Sequence, residues 1–176
     1  MLNVVAICGS TRETSVNLNY IKAFSERSKH LFNTTLFRQL DTLPHFNPDL
    51  DNDTPPQAIA DFRQLLRRSD AILICTPEYA MGVPGSLKNA IDWTVSSMEF
   101  SKKPTALITA SSLGEKAHTS LLDTLRIIEA GISDSTQLLI PHAKTKITNE
   151  GIITDENTSI AIDSLIDAFH KTCGMI

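Results

Sequence analysis

Asn3-Val-Val-Ala-Ile-Cys-Gly-Ser-Thr-Arg-Glu-Thr-Ser-Val-Asn17 is the stretch whose reading decides the fold. Asn3 to Cys8 is a continuous apolar run, the mark of a strand covered on both faces. Asn17 to Leu31 then places Leu18, Ile21, Phe24 and Leu31 at helical spacing, an amphipathic helix. Between them lie Gly9 and a loop of hydroxyls with one arginine. A buried strand that turns through a glycine into a helix is the first half of a βαβ unit.

The same alternation repeats to the end of the chain. Thr35 to Arg38 is a weak second strand, followed by a loop with Pro44, Asn47 and Pro48 and a helix over Pro56 to Arg68. Ala71 to Cys75 is a third strand stopped by Pro77, and a Gly/Pro loop leads to a helix over Ser86 to Ser96. Thr105 to Ala110, Ser120 to Ala130, Gln137 to Ile140 and Asn157 to Thr172 complete the series as strand, helix, strand and helix. Five alternations with right-handed crossovers imply a parallel sheet with helices on both faces. Five strands favour the flavodoxin-like doubly wound order 2-1-3-4-5 over the dinucleotide-binding order. In that order strands one and three flank the topological switch. The ligand crevice then lies between the loops Gly9 to Ser15 and Pro77 to Pro84.

Composition bounds the function. At 176 residues the chain suits one domain spanning residues 1–176, with 41% hydrophobic and 20% charged residues. A net charge of −4 gives no general attraction to nucleic acid or acidic membranes. An anionic cofactor must therefore be held by local donors. No run is long enough for a membrane span, and the N-terminus carries no signal-peptide pattern. Cys8, Cys75 and Cys173 lack metal spacing, and an odd count without an export signal fits a cytoplasmic protein.

The Gly9 to Ser15 loop has what a phosphate monoester requires. Ser10, Thr11, Thr14 and Ser15 offer hydroxyls, and Asn17 offers an amide. The helix start offers free N–H groups at its positive end, and Arg12 adds a planar cationic fork. Capping by Ser15 alone accounts for one hydroxyl, not four with an arginine. Spacing removes the rivals: there is no G-x-G-x-x-G and no G-x-x-x-x-G-K-[ST]. A tyrosine-phosphatase loop needs a longer spacer than the three residues between Cys8 and Arg12, and Cys8 reads as core.

The loop after strand three, Pro77-Glu-Tyr-Ala-Met-Gly-Val-Pro-Gly-Ser-Leu-Lys-Asn-Ala-Ile-Asp-Trp93, is ordered by two prolines and two glycines. Its backbone and the side chains of Tyr79 and Met81 suit the wall of a flat ring system. Together, GSTRETSVN, PEYAMGVPGSLKNAIDW, KKPTALITASSLG and the Leu125-Arg126 pair resemble the NADPH-dependent FMN reductase family, which includes quinone, chromate and azo-dye reductases. The resemblance implies that FMN is bound and that NADPH or NADH is the co-substrate. Flavin N5 would accept hydride and pass two electrons to a quinone, azo compound or similar small acceptor. No side-chain acid or base is then needed. Around the phosphate it implies Ser10, Arg12, Ser15, Val16 and Asn17. Around the ribityl chain and ring it implies Pro77, Glu78, Tyr79, Ala80, Met81 and Gly82, with Ser111, Ser112 and Gly114 toward the pyrimidine side. It also implies a homodimer or homotetramer, to which the helix carrying Lys88, Asn89 and Trp93 contributes; Trp93 fits core packing equally well.

Two departures from the family pattern stand at the ring end. Ala80 replaces the usual asparagine after the PEY triplet, and Ala117-His118 replaces a twin glycine, a change expected to narrow the pocket. Two other readings remain open: a one-electron carrier like flavodoxin, disfavoured by the modest charge and 6% aromatic content, and a binding module without catalysis. Asp49, Asp51 and Asp53 lack the glycine and glutamate of an EF-hand and read as a solvated loop at the rim. The five histidines show no ligand spacing, although His118 falls beside the expected pocket. No G-x-S-x-G elbow supports a hydrolase.

Overall fold

The computed structural model describes residues 1–174. Five parallel strands form one sheet in the order β2-β1-β3-β4-β5. They are β1 (Leu2–Cys8), β2 (Phe32–Phe37), β3 (Ala71–Thr76), β4 (Thr105–Ala110) and β5 (Gln137–Ile140). The helices α1 (Val16–Ser28), α2 (Gln57–Arg68), α3 (Gly85–Asp92), α4 (Glu115–Ile127) and α5 (Glu156–Cys173) alternate with them. This is the flavodoxin-like arrangement that the alternation predicts.

Strand periodicity sorts the core into two layers. Val4, Ala6 and Cys8 of β1, with Ala71, Leu73 and Cys75 of β3, face α1 and α5. Val5 and Ile7, with Ile72 and Ile74, face α2, α3 and α4. Small residues dominate the first face, so α1 lies close to the sheet. Its Phe24 meets Phe32 and Phe169 with ring centroids 6.0 and 6.2 Å apart. Truncating such a fully buried ring costs about 3–5 kcal/mol.

Several boundaries differ from the sequence reading; α1 and α4 each end three residues early, at Ser28 and Ile127. β2 begins at Phe32 rather than Thr35, because this edge strand buries only Phe32 and Phe37 fully and shows no clean alternation. α3 ends at Asp92, four residues earlier than expected. There Arg63 Nε donates to the Trp93 carbonyl at 2.8 Å, and the guanidinium lies 5.9 Å from the Trp93 ring centroid. α4 begins at Glu115, five residues before the predicted start.

The segment after β2 is tied to α3. Trp93 Nε1 and Asn89 Nδ2 both donate to the Pro44 carbonyl, at 2.8 and 3.0 Å, and Phe46 packs edge-on against Trp93. Trp93 is fully buried, so it is a core residue. Asp51 is not solvated as expected. Its side chain is 10% exposed and pairs with Arg63 at 2.6 Å. Burial pushes the Asp51 carboxyl up, but hydrogen bonds from Arg63 and Ser96 and the guanidinium charge hold it below its ordinary range.

Candidate cofactor site

The C-terminal ends of β1, β3, β4 and β5 open into one crevice of about 350 Å³, within the usual size for a small-molecule site. Its first wall is the β1–α1 loop. Gly9 N–H donates to the Cys75 carbonyl at 2.8 Å, which carries the ladder one residue past β1. A Cβ on Gly9 would lie 2.4 Å from Thr76 Oγ1 and 3.0 Å from Thr76 Cα. Only glycine lets the two strand ends approach so closely.

The chain then turns Ser10 inward, at 2% exposure. Its hydroxyl lies 3.3 Å from Tyr79 Oη and accepts the Arg12 N–H at 3.4 Å. Ser15 caps α1 by accepting the Asn17 N–H at 3.2 Å. Asn17 is 1% exposed, and its Oδ1 accepts the Cys75 thiol at 3.4 Å, which leaves the Asn17 amide as a donor. The first turn of α1 carries no acidic residue to neutralise its positive end. Arg12 is exposed and makes no ion pair among the described residues. Thr11 and Thr14 are exposed and lie outside the crevice lining.

The second wall comes from the β3–α3 loop. Pro77, Glu78 and Tyr79 line the crevice, whereas Ala80, Met81 and Gly82 lie beyond it. Tyr79 and Gly82 exchange backbone hydrogen bonds of 3.0 and 2.9 Å around a two-residue turn. Ala80 and Met81 at its centre have φ of 48° and 60°, as in a type I′ turn. Asparagine and glycine suit these positions, so the family's asparagine has a backbone reason that Ala80 lacks. Met81 is 70% exposed beside the mouth.

Glu78 does something the sequence does not reveal. Its Oε2 accepts the Ala117 N–H at 2.9 Å, and its own N–H donates to Ser111 Oγ at 3.2 Å. The carboxylate thus caps α4, whose N-cap, Gly114, has no side chain to do so. Gly114 itself has φ 96°, and a Cβ there would lie 2.9 Å from Leu139 Cδ1. It is buried and lies outside the crevice, while Ser111 and Ser112 line it.

The Ala117-His118 pair does not narrow the crevice, because neither residue lines it. Ala117 is fully buried on α4. Both ring nitrogens of His118 are engaged: Nε2 lies 2.9 Å from Gln137 Oε1 and Nδ1 lies 2.8 Å from Thr109 Oγ1. Nε2 therefore carries the proton and Nδ1 accepts from the threonine. Burial lowers the His118 pKa, against a smaller opposing effect of Gln137, so the ring is a neutral link between α4 and the sheet. Cys8 and Cys75 face each other in register on β1 and β3, both fully buried. Burial raises both thiols above their ordinary range, which removes either as a nucleophile.

Sequence reasoning missed a further wall, formed by Ala110 and the β5–α5 segment His142, Ala143, Lys144 and Thr145. The available signal was the topology itself, since strand-end loops gather at a switch-point crevice, together with a lysine four residues past the end of β5. A larger groove of about 880 Å³ lies against α2. Its inner charges are already satisfied, Arg63 by Asp51 and Arg67 by Glu99 at 2.7 Å, so they offer little to an incoming ion.

The crevice gathers polar donors on its β1–α1 side against a wall from the β3–α3 loop. Buried hydroxyl and amide donors, an uncompensated helix start and an unpaired guanidinium meet at the β1–α1 end. Pro77, Glu78 and Tyr79 form the facing wall, with the Tyr79 hydroxyl reaching across to Ser10.

Comparison with known proteins shows the family. The sequence profile of the NADPH-dependent FMN reductase family matches residues 2–145. A quinone reductase from Pseudomonas putida is 31% identical over 95% of this chain and 92% of its own length. A 2-hydroxy-1,4-benzoquinone reductase from a Burkholderia species is 29% identical over 96% of this chain and 94% of its own. Among solved structures, FerB, a flavoenzyme NAD(P)H:acceptor oxidoreductase from Paracoccus denitrificans, superposes with a TM-score of 0.81. It is 26% identical and covers 99% of this chain and 98% of its own. The chain belongs to the NADPH-dependent FMN reductase family and is an FMN-dependent NAD(P)H oxidoreductase.

Proposed function

We propose that the crevice holds FMN with its phosphate at the start of α1 and its ring along the Pro77–Tyr79 wall, and that the electron acceptor is a quinone. The observation that carries this reading is the convergence of Ser10, Asn17, Arg12 and the bare α1 N-terminus at one end of the crevice. The quinone assignment draws on the names of the Pseudomonas and Burkholderia relatives. FMN, when bound, supplies two-electron transfer between NAD(P)H and the acceptor.

The protein's own residues bind and orient. Ser10 and Asn17 are held by Tyr79 and Cys75, so their donors are fixed before a ligand arrives. Glu78 fixes the ring wall by locking its loop to α4, and Ser111 holds the same loop from β4. Exposed Tyr79 and Met81 offer an apolar landing surface for a flat acceptor at the mouth. The three free cysteines support a cytoplasmic site of action. No described helix is long and apolar enough to cross a membrane. A homodimer or homotetramer follows from the family resemblance.

Arg12→Ala tests the phosphate end. FMN affinity falls by about 1–3 kcal/mol, the range of a charge-assisted hydrogen bond, as read by flavin fluorescence titration. Unchanged affinity refutes the placement of the phosphate.

A further inference from the structure

The β5–α5 segment packs back across the sheet ends onto α1. Tyr20 Oη, buried on α1, donates to the Ala143 carbonyl at 3.0 Å. Ala143 is itself buried, and Ile147 belongs to the same core layer as α1. On the other side, His142 N–H donates to the Ser112 carbonyl and Ala143 N–H to the Ser111 carbonyl, each at 3.0 Å. The turn is closed within itself by Thr145, whose N–H and Oγ1 both donate to the His142 carbonyl, at 3.0 and 2.9 Å. The backbone from 142 to 145 is therefore fixed to α1 and to the β4–α4 loop at once.

Lys144 stands on this fixed turn. It is exposed, lines the crevice with Ser10, Arg12 and Asn17, and makes no ion pair among the described residues. The carboxylate that shares the crevice, Glu78, is engaged at α4. Two cations without an ion pair among the described residues thus line the same crevice, on different loops, in a protein of net charge −4.

Resting on the FMN reading above, we propose that Lys144 is a second cation for the cofactor's phosphate, closing the phosphate site from the β5–α5 side, with Tyr20 as its positioning residue. A lysine acts there as a mobile point charge, complementing the planar fork of Arg12. Phosphate discrimination would then rest on both walls of the crevice and not on the β1–α1 loop alone.

The test compares FMN with riboflavin, which has the same ring and ribityl chain but no phosphate. Equilibrium titrations followed by flavin fluorescence use the full-length wild type, Lys144→Met, Lys144→Arg and Tyr20→Phe. Lys144→Met is expected to raise the FMN Kd about 5- to 30-fold and to leave the riboflavin Kd within about twofold, with Lys144→Arg retaining most of the affinity. Tyr20→Phe is expected to give a smaller loss, again confined to FMN. Equal losses for FMN and riboflavin overturn the phosphate role. An unchanged FMN Kd with an altered ratio of NADPH to NADH KM also overturns it, by assigning Lys144 to the dinucleotide's 2′-phosphate. An unchanged FMN Kd in Lys144→Met overturns this inference alone. A wild type that binds no FMN overturns the site reading on which it rests.

Discussion

Replacing Glu78 by alanine separates a structural role from a direct cofactor role. In the structure this carboxylate accepts one N–H of the first turn of α4 at 2.9 Å, across a helix start with no side-chain cap of its own. Loss of a helix cap costs about 0.5–2 kcal/mol. The acceptor here is charged and sits at the positive end of the helix, but Glu78 is only half-buried, so solvent screening trims the gain. A cost of about 1.5 kcal/mol follows for Glu78→Ala. Glu78→Gln keeps an acceptor and loses only the charge–dipole part, about 0.5 kcal/mol. For a domain of this length each kcal/mol moves Tm by about 2–4 °C, so the alanine variant should melt about 3–6 °C lower and the glutamine variant about 1–2 °C lower. Urea denaturation of the flavin-free protein, with thermal melts as a second probe, reads both. An alanine variant as stable as wild type would falsify the capping role. A glutamine variant as damaged as the alanine one would show that the charge matters and the hydrogen bond does not.

Three further outcomes follow from the same geometry. Gly9→Ala should destabilise the fold by about 1–3 kcal/mol or more, because the new Cβ meets the Thr76 backbone as well as its side chain. Urea midpoints check this, and an unaffected variant contradicts the close approach of β1 and β3. Ala80→Asn should stabilise by up to about 1 kcal/mol, since asparagine tolerates the positive φ that alanine adopts there. A loss of stability on this change would mean the turn is not as described. His118 binds a proton less readily folded than unfolded, because burial lowers its pKa. Its contribution is therefore present above about pH 6.5 and is lost as pH falls through the lower folded value. In His118→Gln the fall in stability between pH 7.5 and pH 5 should shrink, and an identical pH profile would contradict the buried neutral ring.

The architecture was legible because the signals were local. The apolar runs of β1, β3 and β4 and the periodic faces of α1 and α2 each declare themselves within a few residues. Gly9 and the hydroxyl-rich loop mark one side of the crevice by their position after β1. What sequence could not show depends on contacts across the fold. α4 starts earlier than its own residues suggest because its cap is Glu78, 39 positions before Ala117. Asp51 reads as a surface acid until Arg63 is placed against it. The wall bearing Lys144 joins the site only because β5 lies beside β4 and Tyr20 draws Ala143 onto α1. Ala80 reads as a lost hydrogen-bonding side chain, whereas the backbone makes it a residue under positive φ.

If the crevice between the β1–α1 and β3–α3 loops holds FMN mainly through its phosphate, the protein must distinguish FMN from riboflavin. The most direct measurement is titration of purified, flavin-stripped protein with FMN and, in parallel, with riboflavin, followed by absorbance and fluorescence. The expected result is saturable uptake of one FMN per chain with a shifted flavin spectrum, and riboflavin binding weaker by at least about tenfold, as loss of several charge-assisted hydrogen bonds requires. A protein that leaves the FMN spectrum unchanged, or that binds riboflavin as tightly as FMN, contradicts it.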